Sequence, residues 1–216
     1  MTTAFRYSVK KYNDSLLSLG NLRIGTLHNF RKSEHKKGIS DPYEGMKIVS
    51  HYIPDINDAD KDMHLKALRD YKAIEFADGT NVMLTNIQMR QEFNVPDCFV
   101  HCISSVYSRS AMDSLEGADS CVAIRDVKKF YERLTNTINL HVPVDLVALK
   151  RVRYLARNQQ WNGKDWGDHP ALIKESEFSP QFEIRAIWSP KFEGLISPIC
   201  INDIGLLKYC SMVGNP

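Results

Sequence analysis

"SPQFEIRAIWSP", residues 179–190, reads as a β-strand bounded by serine and proline. Successive strand side chains point to opposite faces. Phe182, Ile184, Ala186 and Trp188 therefore share an apolar face, while Gln181, Glu183 and Arg185 share the other with Ile187. The apolar face marks a strand lying on a core. The glutamine, carboxylate and guanidinium in one row fit two descriptions. On a solvated face, Glu183 and Arg185 form a surface ion pair worth about 0–1 kcal/mol. In a cleft, the same row is the floor of a site.

Further strand patterns surround this one. They are "AFRYSV" (4–9), "LRIGTL" (22–27), "GMKIVSHYI" (45–53), "CFVHCISSV" (98–106), "SCVAI" (120–124), "VDLVALKRVRYL" (144–155) and "LISPICI" (195–201). "YKAIEFADGTNVMLTNI" (71–87) reads as a hairpin around Asp78-Gly79. Helical spacing is fewer and clearer. "KKYNDSLLSL" (10–19) places Tyr12, Leu16 and Leu19 on one side, with Gly20 as a natural stop. "DADKDMHLKALRD" (58–70) starts with acidic residues, which suit a helix N-terminus. Asp126 caps "VKKFYERLTNTI" (127–138), whose Val127, Phe130, Leu134 and Ile138 form one stripe. "GLLKYCSMV" (205–213) reads as a short terminal helix. Strands outnumber helices and do not alternate with them regularly. This predicts an α+β fold with a mixed, largely antiparallel sheet and a few packed helices.

The chain of 216 residues suits a single domain, 1–216. With 43% hydrophobic and 25% charged residues, its composition is that of a folded globular protein. No apolar run spans a bilayer, and "MTTAFRYSVKKYND" carries no apolar signal core, so a cytoplasmic location and no membrane partner are expected. The formal charge of +2 is too mild to imply nucleic acid by itself. Five cysteines with no CxxC pair read as reduced thiols. "CFVHC" brings Cys98, His101 and Cys102 together, but matches no common zinc spacing, so no metal is expected. The remaining histidines show no ligand spacing either. Glycine-rich nucleotide loops, a G-x-S-x-G elbow and H-E-x-x-H are all lacking.

Three polar segments interrupt the apolar strands: "FRYS" (5–8), "HCISS" (101–105) and the opening segment with Gln181 and Glu183. A basic residue, a serine and a glutamate thus sit on separate strands. With them the sequence resembles a family of bacterial and phage proteins related to the ADP-ribosyltransferase fold. That family opens on a K-Y-R-like or H-Y-T-like strand, passes through F-N-D-P-F-E and C-F-S, and closes on E-K-E-Y-R. Here "RYS" (6–8) stands in the first place, and "LRIGTLHNF" with "SDPYEG" (Asp41, Pro42, Glu44) in the second. "HCISS" stands in the third, "MDSLEGADSCVAI" in the segment that follows, and "QFEIR" in the last. The order holds from about residue 5 to 188. Ser40 stands where the family often has Asn, Gln181 replaces the first Glu of E-x-E, and Arg6 replaces Lys or His.

The resemblance implies an ADP-ribosyltransferase-like fold and an enzyme that uses NAD as substrate. It would transfer ADP-ribose to a protein or nucleic-acid acceptor, as a toxin or in phage–host conflict. Gln181 in place of Glu argues against arginine as acceptor. Glu183 and Gln181 are then the catalytic pair. Cleaving the nicotinamide bond develops positive charge on the ribose, which Glu183 stabilises while Gln181 orients the nucleophile about 7 Å along the strand. Arg6 holds a diphosphate or ribose oxygen. Ser104 or Ser105 bonds the ribose or the glutamate, and Tyr7 and Tyr43 stack on a ring. Two alternatives remain: an NAD glycohydrolase, or an inactive module binding nucleic acid or protein.

Each residue also has a plainer description. Arg6 fits a solvated strand position, Ser104 and Ser105 a strand end, and Asp41 to Glu44 a β-turn. The basic clusters "RKSEHKKG" (Arg31, Lys32, Lys36, Lys37) and "LKRVRYLAR" (Lys150, Arg151, Arg153, Arg157) fit phosphates or a solvated face. "WNGKDWGDHP" (161–170) reads as an aromatic loop for recognising the acceptor.

Overall fold

The computed structural model describes residues 3–32, 38–57, 59–74, 83–214 and 216. The turn expected at Asp78-Gly79, and Lys36 and Lys37 of the first basic cluster, lie outside the described residues. The first strands are β1 (Thr3–Ser8), β2 (Asn21–Thr26), β3 (Met46–Asp55), β4 (Thr85–Asn94), β5 (Phe99–Ser104) and β6 (Ser120–Arg125). There follow β7 (Val144–Arg151), β8 (Arg153–Tyr154), β9 (Asn158–Gln160), β10 (Ile173–Lys174), β11 (Glu183–Pro190), β12 (Ile199–Asn202) and β13 (Cys210–Val213). The helices are α1 (Lys10–Leu19), α2 (Lys61–Asp70), α3 (Arg109–Asp113) and α4 (Val127–Asn139). The protein is α+β with mostly antiparallel sheets. The parallel pairs are β3 with β9 and β8 with β10.

The main sheet forks. β11 pairs β7 on one side and β5 on the other, running from Glu183 opposite Ser104 to Trp188 opposite Phe99. The far edge of β5 is shared. Near its start, Phe99 and Val100 pair Thr26 and Gly25 of β2, which carries β12 outside it. At its end, Ser104 pairs Phe5 of β1, which carries β6 and β13 outside it. His101, Cys102 and Ile103 lie between these two contacts, where β1 and β2 diverge.

α4 covers one face. Its stripe Val127, Phe130, Leu134 and Ile138 is buried against Ile103, Val122, Ile184, Ala186 and Trp188. Asp126 caps it, accepting from Lys129 N at 3.4 Å. In α1 the inward residues are Asn13 and Leu16, while the expected Tyr12 and Leu19 are about half-exposed. A smaller sheet, β4-β3-β9, buries its own cluster against α2 through Val49, Ile53, Leu68, Met89 and Trp161. The loop expected to recognise an acceptor belongs here: Trp161 is buried and Trp166 packs edge-on to Tyr71. The buried imidazoles of His51 and His64 hydrogen bond at 2.9 Å beside it.

Several elements differ from the sequence pattern: residues 71–74 form no strand, and β4 pairs β3 instead of closing a hairpin with them. β11 begins at Glu183, because Ser176–Gln181 is a 3₁₀ helix and Phe182 adopts a left-handed φ of 46°. The Phe182 carbonyl there accepts from Ser105 N at 2.9 Å and Ser105 Oγ at 3.1 Å, which fixes the corner. Residues 204–209 form a 3₁₀ helix, and Cys210 onward forms β13 rather than helix, pairing the otherwise open edge of β6.

Candidate functional site

The fork leaves a cleft of about 1120 Å³. Arg6, Tyr7, Ser104, Gln181 and Glu183 all line it, together with His101, Cys102, Lys174 and Arg185. Ser105 and Tyr43 do not line it. A smaller depression of about 460 Å³, over α4 near Arg133 and Tyr209, holds none of these residues. None of residues 161–170 lines the cleft.

Alternation of side chains sends the two charged centres into the cleft from opposite faces of the sheet. Ile184 and Ala186 pack with α4, so Glu183 and Arg185 face away from that helix. Phe5 and Tyr7 pack with α3 residues Ala111 and Met112, so Arg6 faces α1 and α4. A ligand touching both Arg6 and Glu183 must therefore be long enough to pass through the fork.

The row Glu183–Arg185 is not solvated, contrary to the surface-pair description: Glu183 is 4% and Arg185 1% exposed. Arg185 Nε donates to Glu183 Oε1 at 2.7 Å. Its Nη1 donates to Glu44 Oε1 at 2.7 Å and to the Ala171 carbonyl at 2.6 Å. Lys174 Nζ donates to Glu183 Oε2 and to Gln181 Oε1, each at 2.9 Å. Gln181 Nε2 donates to the Gly38 carbonyl at 2.7 Å. Gln181 and Glu183 thus stay together although they do not share one regular strand. Burial opposes ionisation of Glu183, but the charges of Arg185 and Lys174 and hydrogen bonds from Arg185 and the Cys102 thiol outweigh it. Its carboxyl therefore titrates below the ordinary carboxylate range. Burial, reinforced by the Glu183 charge, raises the Cys102 thiol well above its usual value.

"SDPYEG" is both a turn and part of this network. Asp41 accepts from Tyr43 N at 3.0 Å, closing the turn, and pairs with buried Arg157. Glu44 is buried on Arg185. Tyr43 itself is 61% exposed.

On the other face, Arg6 Nη1 donates to Asn13 Oδ1. Among the described residues its guanidinium meets no carboxylate. Burial lowers its pKa to about 10, with Cys210 and Tyr131 acting the other way. It stays charged at neutral pH, with donors to spare. His101 hydrogen bonds the Tyr131 hydroxyl at 2.9 Å. Burial, then the Arg6 charge, pushes that imidazole down to about 3. Cys98 and His101 do not come together as ligands, and among the described residues no group of three or more His, Cys, Asp or Glu could hold a metal.

The other sequence candidates hold the scaffold. The Tyr7 hydroxyl donates to Val106 O at 2.9 Å and accepts from Ser108 N at 2.8 Å, with its ring packed in an apolar cluster. Ser104 Oγ bonds back to Val106 O at 3.2 Å. Lys174 and Asn13 carry no motif that sequence reading would single out, and Arg157, read as one of a basic cluster, is instead buried on Asp41. Their signal is burial, which only the fold supplies.

Among the described residues no helix is long and apolar enough to cross a membrane. No protein-family model, no curated protein and no solved structure matches the chain. The functional reading therefore rests on the geometry of the cleft.

Proposed function

We propose that this protein is an ADP-ribosyltransferase-like enzyme that takes NAD as substrate and transfers ADP-ribose to a macromolecular acceptor. The observation that carries this reading is the meeting of Arg6, Ser104, Gln181 and Glu183 on one cleft of about 1120 Å³. Small-ligand sites span about 300–1,000 Å³. A cleft slightly larger, with charged groups entering from two faces, suits an elongated dinucleotide. Arg6 holds a diphosphate oxygen, since its guanidinium, which meets no carboxylate among the described residues, has donors for it. Glu183 lies at the nicotinamide ribose.

In the reaction the bond between ribose C1′ and the nicotinamide nitrogen breaks, and nicotinamide leaves with the electron pair. Positive charge grows on the ribose, and the ionised Glu183 opposes it. The acceptor nucleophile bonds to C1′ and releases its proton to solvent. Water in the acceptor's place gives the glycohydrolase variant. The experiment is incubation with NAD and cell extract, following nicotinamide release. Release that disappears in Glu183→Ala supports the reading; no release and no NAD binding would sink it.

One observation favours a second reading, a non-catalytic binding module. Both Glu183 oxygens already accept charged hydrogen bonds, Oε1 from Arg185 and Oε2 from Lys174. With the Cys102 thiol donating as well, the carboxylate keeps a single free lone pair, and its charge is shared with two cations. NAD binding by calorimetry without nicotinamide release would favour the module.

A further inference from the structure

We propose that Lys174 is a positioning residue for Gln181 and Glu183: one ammonium, donating 2.9 Å bonds to both, fixes which atoms each side chain turns toward the cleft. The inference rests on the reading above, in which these two side chains face substrate.

The bonds from Ser105 to the Phe182 carbonyl fix the backbone of the corner, but they do not set where the Gln181 and Glu183 side chains turn. Gln181 ends a 3₁₀ helix, Phe182 is left-handed, and Glu183 opens β11. Lys174 comes from a different element, β10, anchored in parallel to β8. Its position is thus set by β8, whose Tyr154 hydroxyl also accepts from Glu183 N at 2.7 Å. The ammonium is itself confined: the side chain is 5% exposed, and Nζ lies 4.8 Å from the centre of the Phe178 ring. An ammonium only donates. The Gln181 oxygen must therefore face Lys174, and its nitrogen the Gly38 carbonyl. Without Lys174, the Gln181 amide keeps only its bond to the Gly38 carbonyl, its oxygen loses its partner, and Glu183 keeps only Arg185 and the Cys102 thiol.

A simple buried counter-ion would make the same contacts, so the test must read position. The groups facing Glu183 are Arg185 on its own strand, Lys174 from β10, Cys102 from β5 and Tyr154 from β8, with Glu44 behind Arg185. The probes are the Gln181 side-chain amide protons and the Glu183 carboxyl carbon, followed by NMR in the full chain without NAD. In Lys174→Gln, the amide protons should exchange faster with water, and the carboxyl should titrate at higher pH. Lys174→Arg should restore both in part. Nicotinamide release should fall by about 10- to 100-fold in kcat with KM nearly unchanged, the cost of misplacing a reacting group by about 1 Å. Unchanged amide exchange and carboxyl titration overturn the proposal, whatever the activity. Altered NMR signals in a protein that never releases nicotinamide leave the positioning role intact and remove the NAD reading. If Lys174→Gln does not fold, Lys174→Arg against wild type decides: faster Gln181 amide exchange with the Glu183 carboxyl still ionised supports the proposal, and unchanged exchange overturns it.

Discussion

Arg185 grips Glu44 with both terminal nitrogens, Nη1 to Oε1 at 2.7 Å and Nη2 to Oε2 at 3.2 Å, across 141 positions of sequence. Each residue is about 1% exposed. The pair pins the 38–45 turn over the central strand and so closes one wall of the cleft. Lys174, Glu183, Arg185 and Glu44 alternate in sign, and the buried chain of charges they form is neutral as a whole.

Glu44→Ala removes a carboxylate and leaves a buried guanidinium underpaired. Breaking one side of a buried pair costs about 3–5 kcal/mol. Urea unfolding should show a loss in that range. Glu44→Met combined with Arg185→Met should recover part of it, because no charge is then stranded. A loss below about 1 kcal/mol would mean that water reaches the pair, since that is the worth of an exposed one.

Glu183 makes stability depend on acidity. Its folded pKa is depressed, because Arg185 and Lys174 together overcome the opposing effect of burial. In the unfolded chain it titrates near about 4.3. The unfolded state therefore binds the proton first as pH falls, and the contribution is full above about 4.3 and lost below it. Glu183→Gln should flatten the loss of stability between about pH 5 and 2, measured by urea unfolding at each pH. A parallel curve for the variant would show that Glu183 is not held as an ionised group.

Much of the scaffold was legible from local pattern. The stripe of α4 and its Asp126 cap, the strands β1, β5 and β6, and the alternation of Ile184, Ala186 and Trp188 all follow from short-range spacing. The polar row of β11 was ambiguous, because alternation says which residues share a face but not what covers it. The cover comes from Glu44, 141 positions away, and from Ala171, on an element outside the strand. Lys174 and Asn13 were invisible for the same reason. The apolar spacing in α1 points to Tyr12, Leu16 and Leu19, yet the helix is rotated so that Asn13 and Leu16 point inward. The sheet fork was also beyond the pattern, since it depends on β1 and β2 sharing one edge of β5.

His101 should remain neutral far below the usual range. Its pKa is pushed down to about 3, first by burial and then by Arg6. The unfolded chain takes up this proton near 6.5. Between those values the unfolded state binds more protons, so stability falls as pH drops through that window. Nitrogen shifts of the labelled imidazole should show one neutral tautomer at pH 5. A charged ring at that pH would show that the interior beside Arg6 is hydrated.

Asn13 should govern how strongly Arg6 binds anions. It is 0% exposed, accepts from Arg6 and donates from Nδ2 to Ser120 Oγ at 2.6 Å, while Ser120 Oγ donates to Ser8 O at 3.2 Å. Both ends of the amide are used, so its orientation and the guanidinium's are fixed together. Asn13→Asp places a carboxylate where the neutral oxygen stood. Arg6 then has an internal counter-ion, and an external anion must compete with it. Inorganic pyrophosphate is the probe, by calorimetry at low salt. Binding should weaken at least about tenfold, or about 1.4 kcal/mol, while Arg6→Gln should abolish it. Asn13→Leu separates charge from packing: it strands polar groups, costing about 1–3 kcal/mol of stability, but adds no competing charge. Equal affinity in Asn13→Asp and wild type would mean that the anion does not bind at Arg6.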